Sequence, residues 1–168
     1  FYIAIEPDVN KLFRNNGDLT FSDLTWRSRA SGYGVGSGVG TADLDDDGFL
    51  DIFFTNRTFY TGGEQITKSD RNYLLFNRGN RNNWLTVNLV GQESNTNAYG
   101  ARVSLSSGDL TQYREATSAH GYNSGNDPRM HFGLGNKSSI DFIEVLWPSG
   151  KKSKLLNPSI NQTVTIKE

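Results

Sequence analysis

The sequence predicts an all-β protein on three observations. No long stretch repeats apolar residues at the 3.6-residue period of an amphipathic helix, whereas short two-residue alternations recur throughout. Those alternations are bounded by Gly, Asn, Asp and Ser, the residues of turns. A weak internal repeat, "NKLFRNNGD" (10–18) against "NYLLFNRGN" (72–80), points to repeated β units such as propeller blades.

Taken in order, "FYIAIE" (1–6) reads as a first strand with no strand before it to pair with, and the first repeat copy follows. Glycines at 32, 34, 36, 38 and 40 then fall on one face of a strand. That pattern fits a strand lying against another backbone, and it matches neither G-x-G-x-x-G nor GxxxxGK[ST] phosphate loops. "DIFFTN" (51–56) is the strand before the second copy, separated from it by a longer connection around "FYTGGEQITKS" that reads as a surface loop. The repeat stops near Trp84, which divides the chain into residues 1–83 and 84–168. In the second part, "WLTVNLV" sets Leu85, Val87 and Leu89 on one face, and "IEVLW" does the same with Ile143, Val145 and Trp147. "WPSGKK" is a tight turn, with Pro148 fixing φ and Gly150 free to take positive φ, and "VTIKE" points Val164 and Ile166 inward.

Composition narrows the functional classes. The 17 basic and 18 acidic residues nearly cancel, which gives no field for nucleic acid or an anionic membrane surface. No apolar run approaches the roughly 20 residues of a membrane-spanning helix. The start at Phe1, without a charged-then-apolar leader, points to a processed chain or a piece of a longer one. Cysteine is absent, so disulfides, thiolate metal sites and cysteine nucleophiles are excluded together.

The segment "DLDDDGFLD" (43–51) crowds carboxylates into one turn. Neighbouring carboxylates repel by about 1 kcal/mol in water and several-fold more where water is excluded, so either a cation sits among them or the turn stays fully solvated. With Asp43 as position one, carboxylates fall at one, three, five and nine and a glycine at six: Asp43, Asp45, Asp47, Asp51 and Gly48. Ca²⁺ takes six to eight hard oxygens, and this spacing offers it four carboxylates and the Phe49 carbonyl. Asp46, at position four, is expected to face solvent. Position twelve, the bidentate Glu of an EF-hand, is Phe54, and the flanks read as strands, so this is not a helical calcium loop.

"GVGTADLDDDGFLDIFFTNR" resembles an FG-GAP/VCBS repeat, the calcium-loop hairpin of integrin-type β-propellers. "NKLFRNNGDLTFSDLT" resembles the tail of a preceding blade. From Trp84 onward the chain is similar to the ASPIC/UnbV domain, through "WLTVNLVG", "GARV", "REATSAHGY", "NDPRMHFGLG" and "EVLWPSGK". The resemblance implies a partial propeller followed by a β-sandwich, bound Ca²⁺, secretion, and a role in matrix or cell-surface interaction. Too few blades are present to close a ring. The strands "FYIAIE" and "DIFFTN" are therefore expected as open edges, covered by another chain in a homo-oligomer or filament, or by the chain's own C-terminal sandwich.

A second constellation lies in "SAHGYNSGNDPRMHFGLG": His120, Tyr122, Asn126, Asp127 and Arg129 could bind a sugar or a protein partner. The same residues also read as turn chemistry, with Asp127 accepting backbone N–H bonds and pairing with Arg129. A hydrolase built on Ser118, His120 or His131 and Asp127 lacks a nucleophile-elbow pattern, and no H-E-x-x-H metal spacing exists. The expected function is a secreted, Ca²⁺-stabilised, non-enzymatic interaction module. The alternative is a carbohydrate-binding module using residues 118–131.

Overall fold

The structure, a computed structural model, describes all residues except 6–7, 58–59, 62 and 66–70; the end of "FYIAIE" and parts of "FYTGGEQITKS" thus lie outside the described residues. Among the described residues there are strands and no helix. The strands are β1 (Tyr2–Ile3), β2 (Asp8–Val9), β3 (Lys11–Asn15), β4 (Phe21–Asp23), β5 (Tyr33–Ala42), β6 (Asp51–Arg57), β7 (Tyr60–Thr61), β8 (Glu64–Gln65) and β9 (Tyr73–Leu75). They continue with β10 (Asn83–Val90), β11 (Arg102–Ser107), β12 (Leu110–Glu115), β13 (Met130–Gly135), β14 (Phe142–Leu146), β15 (Lys152–Leu156) and β16 (Thr163–Lys167). The all-β expectation, a propeller-like hairpin region and a β-sandwich, is met.

The chain folds into two compact units. The first comprises Phe1–Ala42, Asp51–Phe76 and Ala119–Asn126; the second comprises Asp43–Leu50, Asn77–Ser118 and Asp127–Glu168. Sequence patterning near Trp84 marks where the repeats stop, while packing places the short segments 43–50 and 119–126 in the unit opposite to their sequence neighbours.

In the first unit, β1, β3 and β4 form one antiparallel sheet, and β2, β5, β6 and β9 form another. The second sheet is anchored by Phe54, fully buried, whose ring stacks on Tyr73 with centroids 4.8 Å apart and meets Tyr2 at 5.6 Å. A Cβ on Gly32 would lie 1.9 Å from that ring, so the glycine is required for β5 to approach it. The single glycine face the sequence suggests is corrected by a bulge between Gly36 and Gly38: Gly32 and Gly34 meet the side chains of Phe54 and Asn56, while Gly38 and Gly40 pack against backbone, where a Cβ would sit 3.0 Å from Asn123 O and 2.8 Å from Gly125 O. The backbone they meet is the segment 119–126, whose Ser124 Oγ and Asn126 Oδ1 accept the Val39 and Thr41 N–H groups at 2.8 and 2.9 Å.

The repeat is visible in hydrogen bonds. Asn15 Oδ1 accepts the Gly17 N–H at 2.8 Å and Asn77 Oδ1 accepts the Gly79 N–H at 3.1 Å; both glycines have positive φ. Each copy also opens with an asparagine that accepts a backbone N–H: Asn10 from Ile5 at 2.9 Å and Asn72 from Asn56 at 3.1 Å.

Of the two expected open edges, "DIFFTN" is corrected by the pairing, while the described part of "FYIAIE" stays at the edge of its sheet, paired on one side. β1 runs antiparallel to β3 (Tyr2↔Leu12, Ile3↔Lys11), with the Phe1 ring stacked on Phe13 at 5.0 Å. "DIFFTN" is an inner strand, hydrogen-bonded to β5 on one side and β9 on the other. Alternation marks a strand but does not name its partner. Here the partners are the repeat's own neighbours.

In the second unit, a three-stranded sheet (β13-β10-β16) and a four-stranded sheet (β12-β11-β14-β15) share one core. Leu85, Val87, Phe132, Leu105, Ile143 and Val145 are fully buried, and burying each such side chain contributes about 1.5–3 kcal/mol. Trp147 is 2% exposed and donates its indole N–H to Ser153 Oγ at 2.8 Å, which satisfies the ring's polar end. Gly150, at φ 89°, donates its N–H to Trp147 O at 2.9 Å and closes the expected turn. β16 runs parallel to β10 (Val87↔Val164, Leu89↔Ile166), and Val164 and Ile166 pack against the core.

After β16, the Glu168 carboxylate accepts the N–H groups of Gln92, Glu93 and Ser94 at 2.8, 2.8 and 2.7 Å, and the hydroxyls of Ser94 and Ser149. Burial alone would raise its pKa; the bonds from Ser149, Ser94 and Gln92 outweigh it and hold the carboxyl at about 2, against an ordinary 4.5. The contribution of these bonds to stability is complete above pH 4.5 and is lost as pH falls toward 2. Urea midpoints measured from pH 6 to 2 should fall across that window, and Glu168→Gln should lower the midpoint at pH 7 while flattening the acid slope. Identical slopes in the two proteins would remove Glu168 from the acid response.

Candidate metal centre

The acidic turn folds by its own carboxylates. Asp43 accepts the Asp47 N–H on Oδ1 at 3.1 Å and the Gly48 N–H on Oδ2 at 2.9 Å, and Asp47 accepts the Phe49 N–H at 2.9 Å. Asp46 and Gly48 take positive φ, 55° and 90°, which reverses the chain twice within three residues. One carboxylate oxygen each from Asp43, Asp45 and Asp47 then falls within 4.8 Å of the others. Asp45 makes no hydrogen bond among the described residues. Asp43 is only 6% exposed, so its pKa is raised, first by burial and further by repulsion from Asp47 and Asp46, against the lowering hydrogen bonds from Gly48 and Asp47. At that separation each pair of charges repels by about 1 kcal/mol in water and about 3 kcal/mol at protein-surface screening.

Three side chains of the second unit hold the loop in place. Arg129 spans it: its guanidinium bonds both oxygens of Asp127 (Nε to Oδ1 at 3.1 Å and to Oδ2 at 2.9 Å, Nη2 to Oδ2 at 2.7 Å), Asp46 Oδ1 at 3.0 Å and Asp43 O at 3.1 Å. Hydrogen bonds to Asp127, then to Asp46, raise the Arg129 pKa, so it is a permanent cation. His131 Nε2–H donates to Gly48 O at 2.8 Å, which fixes its tautomer, and its ring stacks on Trp84 at 6.3 Å. Trp84 lies against Gly48: a Cβ there would sit 1.9 Å from the indole. Thr86, beside His131 in the β10–β13 register, is buried with an unpartnered hydroxyl.

The donor set fits a hard divalent cation. It consists of a clustered, partly buried carboxylate trio, with a glycine cradle that admits no side chain. Asp51, the fourth carboxylate of the spacing, is 1% exposed at the first position of β6. Asp46 is mostly exposed, as expected, and in addition pairs with Arg129.

The second constellation is divided. His120, Tyr122 and Asn126 belong to the first unit, and Asp127 and Arg129 to the second. Asn126 is committed to β5, and Asp127 also accepts the Arg129 N–H at 2.8 Å, the turn bond the sequence suggests. Tyr122 is 78% exposed. The clamp from Arg129 to the acidic turn, and the parts played by Trp84 and His131, carry no signal in local spacing, because the partners lie some eighty positions apart.

The acidic turn and the strands that hold it lie within one unit, and two family models match parts of the chain. Residues 1–54 match the model of the FG-GAP-like repeat, and residues 91–168 match that of ASPIC and UnbV. The chain is 31% identical over 155 residues to Cartilage acidic protein 1 of Homo sapiens, 30% over 155 residues to that of Mus musculus and 29% over 157 residues to that of Xenopus tropicalis. These alignments cover 85–86% of this chain and 21–22% of each relative, so the chain spans about a fifth of their length.

Two substitutions test the docking. Gly48→Ala combines a positive-φ residue with a clash against Trp84 and should cost about 3 kcal/mol in urea unfolding, whereas Gly108→Ala, at φ 59° with open space around it, should cost about 1 kcal/mol. Arg129→Ala should cost about 3 kcal/mol, the low end for breaking a buried pair, because the Asp127 carboxylate, 11% exposed beside Arg129, loses its partner. Equal costs for the two glycine variants would show that the loop does not rest on Trp84.

Proposed function

We propose that this chain is a calcium-stabilised, non-enzymatic interaction module of a secreted protein, with residues 1–83 as the repeat region and 84–168 as the sandwich. The observation that supports this best is the convergence of the Asp43, Asp45 and Asp47 carboxylates with Asp43 buried, since buried like charges are tolerated when a cation neutralises them. Those three residues would hold the ion, and the loop spacing assigns the Phe49 carbonyl and Asp51 to it as well. The bound ion supplies neutralisation and cross-linking: ligand binding to the folded state alone adds to its stability. No helix is long and apolar enough to cross a membrane.

An exposed apolar face supports the interaction reading. Phe53 and Leu74, paired across β6 and β9, are 42% and 43% exposed, and Phe76 is 52% exposed. Support for catalysis is weak, because the candidate groups are committed elsewhere: Asp127 to Arg129 and the Nε2 of His131 to Gly48. A carbohydrate site on 118–131 has less support for the same reason, with Ser124 and Asn126 bound to β5.

Thermal unfolding with and without chelator tests the metal. Chelator should lower the melting temperature of the wild type. Asp45→Ala should abolish most of that difference, and Asp46→Ala should leave it nearly intact. Equal loss in both variants would mean a diffuse acidic patch. Sedimentation over a wide concentration range tests self-association: a monomer throughout would assign the apolar face to a different protein.

A further inference from the structure

We infer that a polar pocket beside the acidic loop, wholly within the second unit, is a binding site for a neutral saccharide. The pocket, of about 450 Å³, is lined by Asp47, Phe49, residues 80–84 and Asn161. Its size is ordinary for a small-ligand site.

Its floor is rigid. Asn161 takes a left-handed φ of 56°; its Nδ2 donates to Asn83 Oδ1 at 2.9 Å and its Oδ1 accepts the Trp84 N–H at 3.0 Å. Asn83 in turn donates to Lys137 O at 2.9 Å. The chain enters the pocket through a turn in which Asn80 Oδ1 accepts the Asn82 N–H at 2.6 Å. Just before it, Gly79 lies where a Cβ would sit 2.7 Å from the Phe49 ring. These interlocked amides preorganise the wall, which removes part of the ordering cost of binding.

The groups left open suit hydroxyls. Among the described residues, the Arg81 guanidinium, the Asn82 carboxamide, the Asn80 amide nitrogen and the Trp84 indole N–H make no hydrogen bond. Asp47 closes the rim toward the acidic loop. A sugar hydroxyl donates and accepts at once, and this set offers both donors and acceptors on planar groups. Phe49 and Trp84 border it, with the Phe49 ring packed on Gly79 and the Trp84 ring on Gly48 and His131, so recognition rests on the contacts to hydroxyls. In the ion-free chain the charges of Arg81 and Asp47 cancel, which favours a neutral ligand over an anionic one.

The test is a titration of the ¹⁵N-labelled chain with the methyl glycosides of glucose, galactose, mannose and N-acetylglucosamine, and separately with inorganic sulfate. Each is run at saturating Ca²⁺ and in chelator. At least one glycoside should shift the amide resonances of residues 80–84 and 161 saturably, in either condition, and sulfate should not. The double variant Arg81→Ala, Asn82→Ala should weaken that binding by about tenfold or more while leaving the chelator-dependent melting unchanged. The inference is overturned if no glycoside moves these resonances, if sulfate alone does, if the shifts centre on residues 120–126, or if the double variant binds as well as the wild type. Any of these results leaves the calcium reading standing, because that reading is decided by the melting curves.

Discussion

The structure turns on the electrostatics of one short loop. Asp43, Asp45, Asp46 and Asp47 cannot be drawn together, with Asp43 buried, unless their repulsion is offset. Part of the offset is in the protein: backbone N–H groups of Asp47 and Gly48 point at Asp43, and Arg129 reaches Asp46 and the Asp43 carbonyl. These contacts fix the shape of the loop and leave Asp45 with no protein donor among the described residues. The sandwich thus positions the loop, and the trio of carboxylates remains suited to an ion.

Arg129 can hold this position because of its neighbours. Asp127 binds it through both carboxylate oxygens, which orients the guanidinium plane and keeps it charged. Two residues along the strand, His131 repeats the logic with a neutral donor, bonded to Gly48 O and stacked on Trp84. The sheet face that receives the loop belongs to β10 and β13. Their opposite faces, through Leu85, Val87, Met130 and Phe132, form the core. Rigidity of that core is what turns a few polar contacts into a defined loop geometry.

The first unit solves a different problem, that of strands without a closed ring. β5 is satisfied locally, where the side chains of Ser124 and Asn126 take up N–H groups that no strand covers, while β1 pairs with β3 and forms the edge of its sheet. Glycine is needed along β5 because the segment 122–126 lies directly on it, closer than a Cβ would allow at Gly40. The repeated asparagines, Asn10 with Asn72 and Asn15 with Asn77, do for each copy what a turn and a cap require.

By itself the sequence determined whatever depends on near neighbours: the alternation of Leu85, Val87 and Leu89, the turn at Gly150, the repeated Asn–Gly corners and the carboxylate spacing at 43–47. These follow from backbone periods and from side chains acting within a few residues of themselves. Only the tertiary structure decided which strands pair, including the parallel match of β16 with β10 and the inner position of "DIFFTN". It also decided that Asp127, Arg129 and His131 serve the acidic turn and not a common pocket with His120 and Tyr122. The reason is physical. Alternation gives the face a side chain occupies, while its partner is set by chain crossings that bring residues some eighty positions apart into contact, and no local pattern encodes that separation.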